Sequence, residues 1–259
     1  MHNLWPIRSA RTSLLGRIFD QQVSNRGKQN TTALDVGANI GNHSLFFSKY
    51  FQSVFSFEPS ALNYRLLEAN LLAREAVNIT PIQSALGSIN KQLVFSDGHS
   101  SKGRSGIIDE NNLMRDTLSN QDGVTHEITV ENGDEFIRCN CKSNHICFIK
   151  VDVEGYELEV FKGLENTIRR FQPLIAFEQL AGEVVNSSTQ CIDFLRSLGY
   201  HNFYSIEDKP SPKLKTIRIS IKLIKGRAVH ISPIPSLARK HYPMIIASFH
   251  PLNINALNL

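Results

Sequence analysis

Long apolar runs, cysteine and a charge excess of one sign are all scarce in this 259-residue chain. No stretch reaches the ~20 apolar residues that a membrane-crossing helix needs, so no transmembrane segment is expected. The opening stretch MHNLWPIRSARTSLLGRIFDQQ mixes basic and apolar residues and has no compact apolar block ahead of a cleavage site. It predicts an amphipathic helical arm over residues 1–30 rather than a signal peptide. The four cysteines, Cys139, Cys141, Cys147 and Cys191, give a C-x-C pair instead of C-x-x-C, with no histidine cluster to complete a metal site. Reduced structural thiols in a cytoplasmic protein are the expectation, with no metal. Lys plus Arg at 28 against Asp plus Glu at 24 leaves a net charge of +4, too mild to argue for a nucleic-acid partner. The basic excess lies near the ends, at Arg8, Arg11, Arg17, Arg26 and Lys28 and again from Lys209 to Lys225. Solvated faces are expected there, with room for no more than a weak peripheral contact with an anionic membrane surface.

What is present is an ordinary globular composition, 41% apolar and 20% charged, in which apolar runs alternate with helical spacing. TTALDVGA, SVFSFEP, NITPIQSAL, HICFIKVDVEG, PLIAFEQ, HNFYSIE and YPMIIASFHP read as strands, and KQLVFS as an extra one. SALNYRLLEANLLAREA reads as an amphipathic helix with Ser60 as its N-cap and Leu62, Leu66, Leu67 and Leu71 along one stripe. YELEVFKGLENTIRRF and STQCIDFLRSLG read as further helices, the second closed by Gly199. This pattern predicts one α/β domain over residues 31–259, with a central, mostly parallel sheet of about seven strands and helices on both faces. Residues 97–127, rich in Ser, Gly, Asn and Asp, read as a long loop suited to a lid over an acceptor. Residues 209–235 are irregular, with room for a short hairpin.

Between the first strand and its helix stands DVGANIGN, with Gly37 and Gly41 where the main chain must approach a ligand closely. Asn39 takes the place of a third glycine and is the residue type that best tolerates a left-handed backbone. Asp35 ends the first strand and Glu58 the second, 23 residues on, where an acid accepts hydrogen bonds from ribose hydroxyls. An acid just ahead of the loop would oppose a phosphate but suit a cationic group. S-adenosylmethionine, with a ribose, a sulfonium and no phosphate, therefore fits better than a dinucleotide. A nicotinamide-dependent oxidoreductase of the same architecture and a non-catalytic cofactor-binding protein remain the alternatives.

A second cluster is IKVDVEGYE. Lys150, Asp152 and Glu154 alternate on a strand and share one face at its carboxyl end, where ligands of parallel sheets bind. Charges there are costly unless paired or used. Methyl transfer to a hydroxyl needs an aligned acceptor and a group to take its proton. Asp152 is the first candidate for base or orienting group and Glu154 the next. Lys150 would tune Asp152 or hold an acidic acceptor. Glu178 at the end of LIAFE, His43 and His99 are further candidates, and Gly155 allows the turn into the next helix.

LDVGANIGNHSLFFSKYF, VFSFEPSALNYRLLEANL, PIQSALG, FIKVDVEGYELEVFKGL and PLIAFE, in that order, resemble the FkbM-type S-adenosylmethionine-dependent O-methyltransferases, from about Thr31 to Glu178. The resemblance implies a Rossmann-like class I methyltransferase fold and S-adenosyl-L-methionine as cofactor. It implies that Asp35, Gly37, Asn39 and Gly41 surround the methionine part, that Glu58 binds the ribose, and that Ser84 and Ala85 lie near the adenine. Asn39 is usual in that family's loop. GDEF at Gly133–Phe136 looks like a diverged Leu-Asp-Asp element, with glycine for its leucine, which puts a role for Asp134 in doubt. The acceptor implied is a small molecule or glycan: a hydroxyl of a sugar, glycolipid, polysaccharide precursor or secondary metabolite.

Overall fold

A computed structural model describes residues 10–23, 28–97, 106–108, 124–141, 145–208 and 229–257. The strands form where β-branched and aromatic residues cluster. They are β1 (Thr31–Val36), β2 (Ser53–Phe57), β3 (Ile79–Ile82), β4 (Ala85–Gly87), β5 (Lys91–Asp97), β6 (Gly106–Ile108), β7 (Val124–Asn132), β8 (His145–Val151), β9 (Leu174–Gln179), β10 (Asn202–Asp208), β11 (Val229–Pro233) and β12 (Tyr242–Ser248). The helices are α1 (Ala10–Val23), α2 (Asn42–Phe47), α3 (Ala61–Ala73), α4 (Gly133–Asn140), α5 (Glu157–Gly163), α6 (Glu165–Phe171), α7 (Gln190–Ser197) and α8 (Ile254–Leu257).

Among the described residues the main sheet has eight strands in the order β11-β10-β12-β9-β8-β1-β2-β3. β3, β2, β1, β8 and β9 run parallel, while β12, β10 and β11 pair antiparallel. The expected α/β Rossmann-like sheet is present, with one strand more and three strands that pair antiparallel. The reason is β12, which returns between β9 and β10 and reverses the local direction. β1 is buried at every position, as a central parallel strand covered on both faces must be. Its residues alternate between two cores. Leu34 and Val36 join Ile149, Val151, Ile175 and Phe177 under α5, α6 and α7. Ala33 joins Phe148, Ala176 and Ile246 on the opposite face, with α1, α2 and α3.

Three expectations change. The arm over residues 1–30 contains α1, and α1 is part of the core: Leu14, Leu15, Ile18 and Phe19 are buried, with the Phe19 ring 4.7 Å from that of Phe148. The leucine stripe of α3 narrows to Leu67 and Leu71, because Leu62 and Leu66 face solvent. The segment at 97–127 is not all loop. Residues 106–108 and 124–127 belong to β6 and β7 in a second sheet, order β4-β7-β5-β6. Residues 98–105 and 109–123, which carry most of the expected lid, lie outside the described residues, as do 209–228 of the irregular segment.

Candidate functional site

From β1 the chain steps to β2 and β3 on one side, and from β8 to β9 on the other, although β1 and β8 are neighbours. In such sheets ligands bind in the crevice beyond the carboxyl ends of the strands at this reversal. The loop 37–41 stands on β1 and the turn 152–155 on β8. At Gly37, φ is +77° and a Cβ would lie 2.0 Å from the Asp152 carbonyl oxygen, so nothing larger fits between loop and turn. Asn39 adopts φ 51°, the left-handed backbone expected of it, and Gly41 at φ 86° caps α2. Glu154, at φ 53°, is a second non-glycine residue held left-handed, at the turn that Gly155 completes.

Glu58 is almost fully enclosed, with 4% of its surface exposed. Its carboxylate accepts the backbone N–H of Asn39 at 2.8 Å on one oxygen and that of Ser60 at 3.0 Å on the other. Burial pushes its pKa up to about 7 against the pull of those two N–H groups. The Asn63 side chain also hydrogen-bonds this carboxylate, and with about four acceptor positions the group still has capacity for a further donor. Three more loop amides are consumed internally. Gly37 and Ala38 donate to the Phe57 carbonyl and Gly41 to that of Ala38.

Beneath the loop runs a buried charge network. Register pairs Asp35 with Lys150 across β1 and β8, so both project from one face. The Lys150 ammonium donates to the Gly37 carbonyl at 2.7 Å and pairs with Asp35 at 3.2 Å and Asp152 at 3.4 Å. The other oxygen of Asp35 accepts the Ser44 hydroxyl at 2.6 Å, and Ser44 accepts that of Ser56 at 2.8 Å. Burial alone would lower the Lys150 pKa; Asp35 and Asp152 outweigh it and hold the ammonium above its ordinary value. Asp35 is wholly enclosed, whereas the Asp152 side chain is 42% exposed at the mouth. His43 lies over the same network. Burial and then Lys150 lower its pKa, so its imidazole is neutral at neutral pH.

Ser84 is buried in the turn between β3 and β4, and its hydroxyl has no hydrogen-bond partner among the described residues. Ala85 beside it is buried. An orphaned hydroxyl here, Glu58 with spare acceptor capacity and a loop that admits no Cβ together fit the adenosine of S-adenosylmethionine. Asp134 serves the scaffold instead, accepting the Asn166 and Thr167 N–H groups and the Thr167 hydroxyl at the start of α6. His99 lies outside the described residues.

Two features escaped the sequence reading. Glu157 is buried and accepts the N–H groups of Val153 and Gly155, each at 3.2 Å, which fastens the turn after β8. Burial, then Glu183, push its pKa up to about 8. An acid in the first turn of a helix was the available signal. The second is His241, whose Nε2 lies 2.5 Å from Glu178 Oε1. Its place in the chain, just ahead of the last strand, gave no sign of this pairing.

Comparison with known proteins identifies the family. The methyltransferase FkbM domain matches residues 35–201, well over half of the chain. The hexuronic acid methyltransferase AglP of Haloferax volcanii is 27% identical over 172 residues, covering 65% of this chain and 63% of that protein. Methyltransferase 1 of Beauveria bassiana is 27% identical over 144 residues, covering 51% of this chain and 58% of that protein. The chain thus spans about three fifths of the length of these relatives. The crystal structure of a methyltransferase FkbM from Methylobacillus flagellatus aligns over 89% of this chain and 47% of its own, with 15% identity and a TM-score of 0.43. The matched segment begins at Asp35 and takes in the glycine loop, Glu58, the Lys150–Asp152 strand and Glu178. The chain belongs to the FkbM methyltransferase family, with S-adenosylmethionine as its cofactor.

Proposed function

We propose that this chain is an S-adenosylmethionine-dependent O-methyltransferase that acts on a hydroxyl of a sugar, glycolipid, polysaccharide precursor or secondary metabolite. The observation that carries the reading is Glu58, a buried carboxylate braced by two backbone N–H groups beside a glycine loop at the reversal point of the sheet. It suits the two hydroxyls of a ribose. The rival nicotinamide reading needs free loop amides for a pyrophosphate. Gly37, Ala38, Asn39 and Gly41 have already spent theirs within the protein, which favours a cofactor without phosphates. The name of AglP assigns it a hexuronic acid, which supports a sugar acceptor here.

When bound, the cofactor supplies an electrophilic methyl group on a sulfonium. The chain's own residues do the rest. Glu58 accepts the ribose hydroxyls, and Ser84 with Ala85 borders the adenine. Lys150 cancels the charge of Asp35 and ties the Gly37 carbonyl, so that the loop keeps its shape. Asp152, exposed at the mouth and charge-paired with Lys150, orients the acceptor hydroxyl, with Glu154 beside it. Holding acceptor and methyl group aligned supplies much of the acceleration. Incubation with methyl-labelled cofactor and a glycan and lipid extract of the source cells tests this. Label should pass to an acid-stable, base-stable ether product. Asp152→Asn should lose turnover at least tenfold while its calorimetric affinity for S-adenosylhomocysteine stays within twofold. Full turnover in that variant would remove Asp152 from the reaction.

A further inference from the structure

We propose that His241, oriented by Glu178, is the general base that takes the proton of the acceptor hydroxyl; the proposal rests on the methyltransferase reading above. Register pairs Lys150 with Ala176, so Asp152 and Glu178, two residues further along β8 and β9, emerge on the same face at the same edge. β1 and β9 are separated by β8 alone, which sets Glu178 roughly 10 Å across the sheet from the glycine loop, with Asp152 between them. His241 immediately precedes β12, whose first residue pairs with Gln179, and this brings the imidazole over the end of β9. Its Nε2 lies 2.5 Å from Glu178 Oε1, with the imidazole 47% and the carboxylate 17% exposed. The ring is therefore open to a ligand and the carboxylate is mostly shielded behind it.

This geometry fixes a tautomer. A carboxylate accepts only, so Nε2–H donates to Glu178 and Nδ1 is left as the basic nitrogen. Lys240, the next cation along, is turned away and pairs with Glu207 at 2.6 Å, so it does not compete for Glu178. The other candidates are less suited to accept a proton. The Asp152 carboxylate is engaged by the Lys150 ammonium at 3.4 Å, and burial and Lys150 lower the basicity of His43. In the step itself the acceptor oxygen forms a bond to the methyl carbon as the sulfur–methyl bond breaks. The electron pair of that bond stays on sulfur, which becomes a neutral thioether. The proton of the hydroxyl passes to His241 Nδ1, and the Glu178 carboxylate offsets the resulting positive charge.

Three arms test it on the full chain. Ring-nitrogen NMR of histidine-labelled protein should show His241 with a protonated Nε2 and a bare Nδ1, and Glu178→Leu should mix the tautomers. A bare Nε2 in the unaltered chain would overturn the proposal. With labelled cofactor and the cell extract, His241→Gln should lower turnover by about a hundredfold, the usual scale of general-base catalysis. Its affinity for S-adenosylhomocysteine should stay within twofold, and Lys240→Gln should transfer label at the unaltered rate. Turnover of His241→Gln within threefold of the unaltered chain would overturn the base assignment. Should His241→Gln fail to fold, Glu178→Leu carries the same comparison, with at least a tenfold loss expected and wild-type turnover refuting. Transfer absent from the unaltered chain would instead overturn the methyltransferase reading, and the base assignment with it.

Discussion

Replacing Lys150 by methionine isolates the buried network that shapes the cofactor loop. The ammonium has three partners, the Gly37 carbonyl at 2.7 Å, Asp35 at 3.2 Å and Asp152 at 3.4 Å, and Asp35 has no access to water. Methionine keeps the apolar stem but leaves Asp35 with the Ser44 hydroxyl at 2.6 Å as its one remaining partner among the described residues. Removing one member of a buried ion pair costs about 3–5 kcal/mol, because the other charge stays enclosed. For a domain of this size that is a fall of roughly 10 °C in melting temperature. Adding Asp35→Asn removes the stranded charge while keeping the Ser44 contact. The double variant should then recover on the order of 1–3 kcal/mol relative to the sum of the single changes. The pH dependence has a defined sign. Lys150 is held above its usual pKa, so its stabilisation is complete below about 10.5 and disappears as pH rises through the raised value; Lys150→Met should lack that alkaline loss. Urea unfolding of the four proteins gives all three numbers. A single variant within 1 kcal/mol of the unaltered chain, or strictly additive changes, would refute the network's role.

Glu58 gives a second pH effect, of opposite sense. Its folded pKa of about 7 lies above the ordinary 4.5, so the folded chain holds a proton that the unfolded chain has released. Stability without cofactor should fall as pH rises from 4.5 to about 7, by on the order of 3 kcal/mol from this group, and Glu58→Gln should flatten that part of the curve. Affinity for S-adenosylhomocysteine should rise over the same window, because hydroxyl donors prefer the carboxylate; urea midpoints and calorimetry at pH 5, 6, 7 and 8 check both. The core placement of α1 predicts that Phe19→Ala costs about 3–5 kcal/mol by leaving a cavity. Its ring meets those of Phe47, Phe51 and Phe148 at 5.9, 5.1 and 4.7 Å, and a thermal melt within 2 °C of the unaltered chain would contradict this.

The cofactor half of the site was legible because it is local. Asp35, Gly37, Asn39, Gly41 and Glu58 fall within 24 consecutive residues, and the backbone each needs is written in its residue type. Asn39 was readable for that reason, as a residue at ease at φ 51°. The role of Lys150 was only half legible. Its alternation with Asp152 signalled a shared face, but its partners Asp35 and Gly37 lie more than a hundred positions away and depend on β1 and β8 being neighbours. His241 and Glu178 meet only because β12 turns back beside β9, a pairing that no periodicity announces. The same return turned a parallel sheet into a mixed one. In α1 the mixture of basic and apolar residues read as an amphipathic helical arm, and Leu14, Leu15, Ile18 and Phe19 supply the stripe that buries it, against partners the sequence does not name.

The central claim is that the crevice above β1 and β8 holds S-adenosylmethionine with Glu58 on its ribose. Titration calorimetry of the full chain with S-adenosylhomocysteine and with NAD, repeated for Glu58→Ala, tests it most directly. The account predicts binding of S-adenosylhomocysteine, no heat from NAD, and a loss on the order of thirtyfold in Glu58→Ala, the scale of hydrogen bonds to a charged group. Tighter binding of NAD, or equal affinity for S-adenosylhomocysteine in the two proteins, would contradict it.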